Sequence, residues 1–132
     1  GLEIPIYGKG ENIRDWLFVE DHILALEKLI LEALPGSNYC IGGMNEINNI
    51  DLINIIFDIL ERRINYPIIR ERKKLVKFVK DRPGHDFRYS IDSSKIHNEF
   101  NWNQKVSLED GLQQTIEWYI SNKNWWASIL NY

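Results

Sequence analysis

Asp81-Arg82-Pro83-Gly84-His85-Asp86-Phe87-Arg88-Tyr89 sets two strong hydrogen-bond donors, Arg82 and His85, on either side of a Pro-Gly pair. Proline fixes φ and glycine accepts φ > 0, so the pair bends the chain and holds both donors on a tight turn. A guanidinium is planar, forked and always charged, which matches it to phosphate oxygens; these residue types therefore fit an anion or diphosphate clamp. A solvated surface turn has the same composition, and the rest of the chain has to decide between the two.

Just upstream, Arg70, Arg72, Lys73, Lys74, Lys77 and Lys80 form a basic run interleaved with Leu75, Val76, Phe78 and Val79. The pattern predicts a basic linker feeding a strand into the turn; no aromatic platform accompanies the charges, which argues against a nucleic-acid patch. Before Pro67, a helix is predicted over 50–64, with Asn48 and Asn49 as N-cap candidates, Asp51 reaching back, and a buried stripe of Ile53, Phe57, Leu60 and Ile64. Tyr39-Cys40-Ile41 reads as a short strand ended by Gly42-Gly43, where the backbone either meets a ligand or neighbouring strand or simply breaks into a loop. Glu20 and Asp21 open a helix in which Ile23, Leu26, Ile30 and Ala33 recur at helical spacing until Pro35-Gly36. Residues 13–19 alternate, with Ile13, Asp15, Leu17 and Val19 on one side, and predict a strand carrying Arg14. Residues 4–7, with Pro5 inside, form an extended piece closed by the Gly8-Lys9-Gly10 turn.

Downstream of the turn, Asp92 caps a short helix that ends near Phe100. Ser107 and Asp110 have capping-box spacing ahead of a helix with Leu108, Leu112, Thr115 or Ile116, and Tyr119, and the Trp125-Trp126 tail is expected to pack back on the body. Helices outnumber short, scattered strands, which describes a mixed α/β piece, one partial domain over residues 1–132 and not a self-contained doubly wound sheet.

At 132 residues and 44% hydrophobic, the chain has material for one core. A net charge of −3 leaves no global basic excess for non-specific nucleic-acid or membrane-surface binding, and no apolar run approaches a membrane span. One cysteine, Cys40, cannot form an internal disulfide, which favours a reducing, cytoplasmic setting; in an apolar strand it reads as packing and not as a nucleophile. His22, His85 and His97 are far apart, so no metal site is indicated. Gly8-Lys9-Gly10 is only a G-x-G turn, and Tyr119 with Lys123 matches a Y-x-x-x-K spacing by chance, at a helix end with no nucleotide fold before it. No serine sits in a nucleophile elbow, so no catalytic group is assigned. The opening at Gly1, with neither Met nor capping signal, is that expected of a fragment or processed product. What remains is a set of donors at element ends: Tyr7, Arg14, Asn49, Arg82 and His85. Two arginines, a phenol, an amide and an imidazole suit a nucleoside diphosphate bearing a sugar.

Pro5-Ile6-Tyr7-Gly8-Lys9-Gly10, the block from Ile13-Arg14-Asp15-Trp16 to Asp21-His22, Tyr39-Cys40-Ile41-Gly42-Gly43 with Asn45 and Asn49, the 81–89 stretch, and Glu117-Trp118-Tyr119 occur in this order along nearly the whole chain. Together they resemble the C-terminal part of the dTDP-glucose 4,6-dehydratases, within the extended short-chain dehydrogenase/reductase family. The Arg-Asp-Trp block is shared with sugar-nucleotide epimerases, whereas Asp-Arg-Pro-Gly-His-Asp is more selective for 4,6-dehydratases. The resemblance implies a helix-rich substrate-binding lobe with a few short strands, its Rossmann NAD domain absent from this chain. It implies that Pro5, Ile6 and Tyr7 line a nucleotide-sugar pocket, that Arg14 and Arg82 contact the diphosphate, and that Asn49 with Asp81, Arg82, Pro83, Gly84 and His85 completes the site. It implies NAD as cofactor of the whole enzyme, held by an N-terminal half that also carries the catalytic groups and most of the family's homodimer helices. Without that half the chain is expected to be inactive and to expose apolar surface. Cys40 departs from the family's usual Asn, Met44 from a common His, and Phe87 from a frequent basic residue. The alternatives are another NDP-sugar epimerase or dehydratase, and a noncatalytic nucleotide-sugar-binding or interaction module.

Overall fold

Two short two-stranded sheets carry the polar end of the molecule, and helices form the rest. The computed structural model describes residues 2–64, 71 and 74–130. In order these are β1 (Ile4–Tyr7), β2 (Ile13–Asp15), α1 (Val19–Glu32), β3 (Glu46–Asn48), α2 (Asn49–Arg63), β4 (Val76–Val79), α3 (Ser94–Phe100), α4 (Leu108–Ser121) and α5 (Lys123–Leu130). β1 runs parallel to β4, Ile4 opposite Val76 and Tyr7 opposite Val79, and the Gly8 amide extends the ladder to the Val79 carbonyl at 2.9 Å. β2 pairs antiparallel with β3, Ile13 opposite Asn48 and Asp15 opposite Glu46. The strand expected from the basic run is therefore β4; Pro67, Arg70, Arg72 and Lys73 of that run lie outside the described residues.

Three expectations need correction. The strand over 13–19 stops at Asp15, because that carboxylate leaves the ladder to accept the amides of Gly43 (3.0 Å) and Asn45 (2.9 Å), and α1 already begins at Val19. Residues 39–41 form no strand, and Cys40 is exposed. An extended segment becomes a strand only when a neighbour takes its alternating N–H and C=O groups, and none of the described strands does. The third correction concerns the helix faces. α1 turns Asp21 and Ala25 fully inward, with Leu29 packed partly against the core, while Ile23 is 56% and Ile30 81% exposed and Leu26 also faces out. This helix is apolar around most of its circumference, so periodicity could not choose the face. The small Ala25 admits close packing, and Asp21, 2% exposed, finds two amide partners, Lys105 at 3.1 Å and Val106 at 3.0 Å.

α2 likewise buries Leu52, Phe57 and Ile59, leaving Ile53, Leu60 and Ile64 at intermediate exposure. Its N-cap is Asn48, which accepts the Asp51 amide at 2.8 Å. Ser107 accepts the Asp110 amide at 3.1 Å at the start of α4, as expected, whereas the N-cap of α3 is Ser93 and not Asp92, which sits one residue earlier and accepts the Ser94 amide at 2.9 Å. On α4 only Gly111 is fully buried, against the Phe18 ring; Leu108, Leu112 and Ile116 are half-buried, and Thr115 and Tyr119 are exposed. The tail packs back on α4, where Trp126 Nε1 donates to the Tyr119 carbonyl at 2.7 Å and Trp125 meets Trp118 edge-on with centroids 5.2 Å apart. Ala25, Ile96 and Trp102 form the buried centre, flanked by Leu17, Leu29, Tyr39, Ile41 and Phe100. Among the described residues no helix is long and apolar enough to cross a membrane.

Candidate functional site: an arginine pair at a Pro-Gly turn

The Pro-Gly bend is a type II turn: the His85 amide donates to the Arg82 carbonyl at 3.3 Å, and Gly84 takes the φ of 68° that the third turn position requires. Asp81 Oδ1 braces it, accepting the Arg82 amide at 2.9 Å and His85 Nδ1 at 2.7 Å. Beyond the turn the chain runs beside β2. The Ile13 amide donates to the Phe87 carbonyl (2.8 Å), the Tyr89 amide donates to the Ile13 carbonyl (3.1 Å), and buried Asn12 donates through Nδ2 to the Asp86 carbonyl (3.2 Å). This seam places Arg14, the next residue on β2, directly against the turn.

Arg14 is held from several sides. Its Nη1 donates to the Ile13 carbonyl at 2.6 Å, its Nη2 donates to His85 Nε2 and to the Asp86 carbonyl at 3.0 Å each, and its guanidinium carbon lies 4.5 Å from the centre of the Tyr89 ring. Those bonds use three of five N–H groups, leaving Nε–H and one Nη1–H. Arg82 is exposed, and its guanidinium makes no hydrogen bond to a described residue. The pair thus divides into a fixed cation and a free one, an arrangement that can grip a two-phosphate group while one side chain swings in.

Tyr7, at the C-terminal end of β1, is 48% exposed and sets its ring edge-on to His85 with centroids 6.1 Å apart. Pro5 shares the exposed face, whereas Ile6 turns inward and is buried. Asn49 sits one layer back, where its amide donates to the Asn12 carbonyl at 3.1 Å and docks the start of α2 behind the seam. Tyr7, Arg14, Asp81, Arg82, Pro83, Gly84 and His85 therefore converge at the C-terminal ends of β1 and β4, with Asn49 connected through Asn12. Asn12, Asp86 and the Glu46–Arg88 pair were not singled out from sequence: the first two work through backbone bonds, and the pair joins residues 42 apart.

Electrostatics reinforce the frame. The hydrogen bond from His85 is the main reason that Asp81 is held below the ordinary carboxylate range, with the Arg82 amide helping and desolvation opposing. Arg88 donates to Glu46 through Nε (2.6 Å) and Nη2 (2.9 Å), and this fork, aided by Ser90, lowers the Glu46 pKa. The Tyr89 hydroxyl donates to Asp86 and is raised by that bond. A surface hollow of about 430 Å³ lies elsewhere, between Phe18, Val19, Gln114, Thr115, Trp118 and Tyr119, with no cationic group to take an anion.

The described residues do not fit a dinucleotide cofactor. A cradle for pyrophosphate needs open space above its glycines, but a Cβ on Gly10 of the Gly8-Lys9-Gly10 turn would lie 2.9 Å from Ile6 Cγ2 and 3.0 Å from Ile50 Cβ. Side chains already occupy that space. Tyr119 and Lys123 fall on different helices, α4 and α5.

This helix-rich α/β lobe is matched over residues 1–115 by the family model for GDP-mannose 4,6-dehydratase, so the chain belongs to that family. Its curated relatives are more particular. It is 45% identical over 133 residues to a dTDP-glucose 4,6-dehydratase of Escherichia coli, covering 99% of this chain and 37% of that protein. The figures for the Neisseria meningitidis dTDP-glucose 4,6-dehydratase are 44%, 99% and 38%. The crystal structure of dTDP-glucose 4,6-dehydratase from Bacillus anthracis in complex with NAD superposes with a TM-score of 0.82 at 38% identity, over 96% of this chain and 37% of that one. DesIV, the dTDP-glucose 4,6-dehydratase of Streptomyces venezuelae with NAD and TYD bound, gives 0.82 at 35% identity, over 94% and 36%. The chain therefore spans a little over a third of the length of the relatives it matches.

Proposed function

We propose that this chain is the nucleotide-sugar-binding part of a dTDP-glucose 4,6-dehydratase, the enzyme that converts dTDP-glucose to dTDP-4-keto-6-deoxyglucose and water in rhamnose-type deoxysugar synthesis. The observation that carries the proposal is the docking of Arg14, through His85 and the Asp86 carbonyl, against the turn that also carries Arg82, although the two arginines come from segments far apart in sequence. In this proposal Arg82 and the open N–H groups of Arg14 bind the diphosphate, and Tyr7 and Pro5 flank the nucleotide sugar on the exposed face of β1. Asp81 and the Pro83-Gly84 bend hold the turn in shape, and Asn49 supports it from behind. In this proposal the residues here bind and orient, and the chain on its own is inactive. The setting is cytoplasmic, in keeping with a lone exposed Cys40.

The dehydratase reading is preferred to an epimerase because identity to solved dehydratases, 38% and 35%, exceeds the 25% to UDP-glucose 4-epimerase of Thermotoga maritima, which aligns with a TM-score of 0.75. Calorimetric titration of the purified chain with dTDP, then UDP, with NAD as control, tests this. Saturable binding of dTDP in preference to UDP, with no NAD binding, is expected. A preference for UDP would turn the assignment to an epimerase, and a folded chain that binds neither nucleotide would refute the site.

A further inference from the structure

His85 reads from sequence as a donor to the ligand, and the structure gives it different work. Its side chain is only 5% exposed, and both ring nitrogens are engaged: Nδ1 lies 2.7 Å from Asp81 Oδ1 and Nε2 lies 3.0 Å from Arg14 Nη2. A guanidinium can only donate, so Nε2 must present its lone pair to Arg14. The ring proton is then on Nδ1, pointing at a carboxylate. Asp81, His85 and Arg14 form a directed chain in which an anion orients an imidazole, the imidazole's lone pair orients a cation, and the cation faces the ligand.

We propose that Asp81 and His85 are positioning residues for Arg14, holding its guanidinium in the one orientation that leaves Nε–H and an Nη1–H open for a diphosphate. This rests on the site proposed above. Three features support it beyond the two distances. The Asp86 carbonyl takes a second Nη2 hydrogen, the Ile13 carbonyl takes one on Nη1, and the Tyr89 ring closes the face of the guanidinium, so the imidazole completes a cradle otherwise made of two backbone carbonyls and one ring face. Gly8 leaves room for the Asp81 carboxylate, since a Cβ there would lie 3.2 Å from Asp81 Oδ2. The Tyr7 ring meets His85 edge-on and covers it from β1. The chain also has a built-in direction. A proton added to Nε2 would replace the lone pair with an N–H aimed at a permanent cation, and Arg14 would lose that partner.

The test has one arm without ligand and one with it. Two-bond proton–nitrogen correlation spectra of the unliganded chain are expected to show His85 as the Nδ1–H tautomer; an Nε2–H tautomer would overturn the proposal. For binding, His85→Gln can present its amide oxygen near the Nε2 position, whereas His85→Phe keeps the ring shape with no acceptor. His85→Phe is expected to bind dTDP-glucose about tenfold more weakly, the size of a lost bond to a charged group. His85→Gln is expected to bind like the unaltered chain, and a folded His85→Gln that binds as weakly as His85→Phe would overturn the acceptor role of Nε2. Equal affinity of a folded His85→Phe and the unaltered chain would sink the positioning role. If the unaltered chain binds no nucleotide, the site reading fails separately; the positioning role is then read from the Arg14 Nε–H resonance, which must exchange faster in His85→Phe.

Discussion

Arg82 and Arg14 carry the same charge and do different work. Arg14 is enclosed by two carbonyls, an imidazole and a phenol ring, so its position is set before any ligand arrives. Arg82, whose guanidinium makes no hydrogen bond to a described residue, is in the proposed function the cation that closes on the diphosphate. Arg82→Ala is therefore expected to weaken dTDP binding by roughly 1.5 to 3 kcal/mol with the circular dichroism spectrum unchanged, since the side chain supports no described contact of the fold. Unaltered affinity in that variant would place the diphosphate elsewhere. Acid behaviour is argued at the same scale. The Glu46 carboxyl is lowered by Arg88, so its pairing stabilises the fold at pH values above the ordinary glutamate pKa and is lost as pH falls through the lowered one. The urea midpoint is expected to decline below about pH 4, and Glu46→Gln to decline less steeply there; parallel declines would show that the pair contributes nothing.

Among the elements, the junction between β2 and the 42–45 segment has the least slack. A Cβ on Gly43 would lie 2.3 Å from the Trp16 carbonyl oxygen, a backbone atom that cannot rotate aside. Gly43→Ala is expected to cost about 1 to 3 kcal/mol of unfolding free energy by the overpacking rule, with a stability like that of the unaltered chain as the contrary result. The Gly42-Gly43 pair is thus a place of close backbone approach, one of the two possibilities legible in sequence, and the neighbour proves to be the chain's own Trp16–Leu17 backbone just after β2. Caps were legible at Asn48 and Ser107, and to within one residue at Asp92, because capping is decided within three residues. The Pro83-Gly84 turn was legible for the same reason. Faces of helices were not: α1 and α2 carry apolar residues on more than one side, and only a partner surface distinguishes Ala25 from Ile23, or Ile59 from Ile64. β3 escaped notice because three residues have no measurable period, and 39–41 looked like a strand because propensity does not report whether a partner exists. At the site, the sequence supplied Tyr7, Arg14 and the turn, but not Asn12 or the direction of His85, which depend on bonds across more than 70 residues.

For the whole molecule, the outward stripe of Val19, Ile23, Leu26 and Ile30 on α1, together with Trp118, Tyr119 and Trp125, is a broad apolar exposure for a chain of this size. Ile30→Glu is expected to change unfolding free energy by no more than about 0.5 kcal/mol, as surface substitutions do, while lowering the binding of a hydrophobic dye. A larger loss of stability would mean that this face is packed. The parallel pairing of β1 with β4 and the seam between β2 and the 87–89 segment have a consequence in time. The helices fold on local contacts, but the hydrogen bonds that assemble the arginine pair join residues 71, 72 and 74 positions apart. The entropy of closing loops of that length is lost before any of these bonds offsets it, so the seam is expected to assemble after the locally bonded helices. A seam absent from the folding transition state would make a nucleotide held there a brake on unfolding with no effect on the refolding rate.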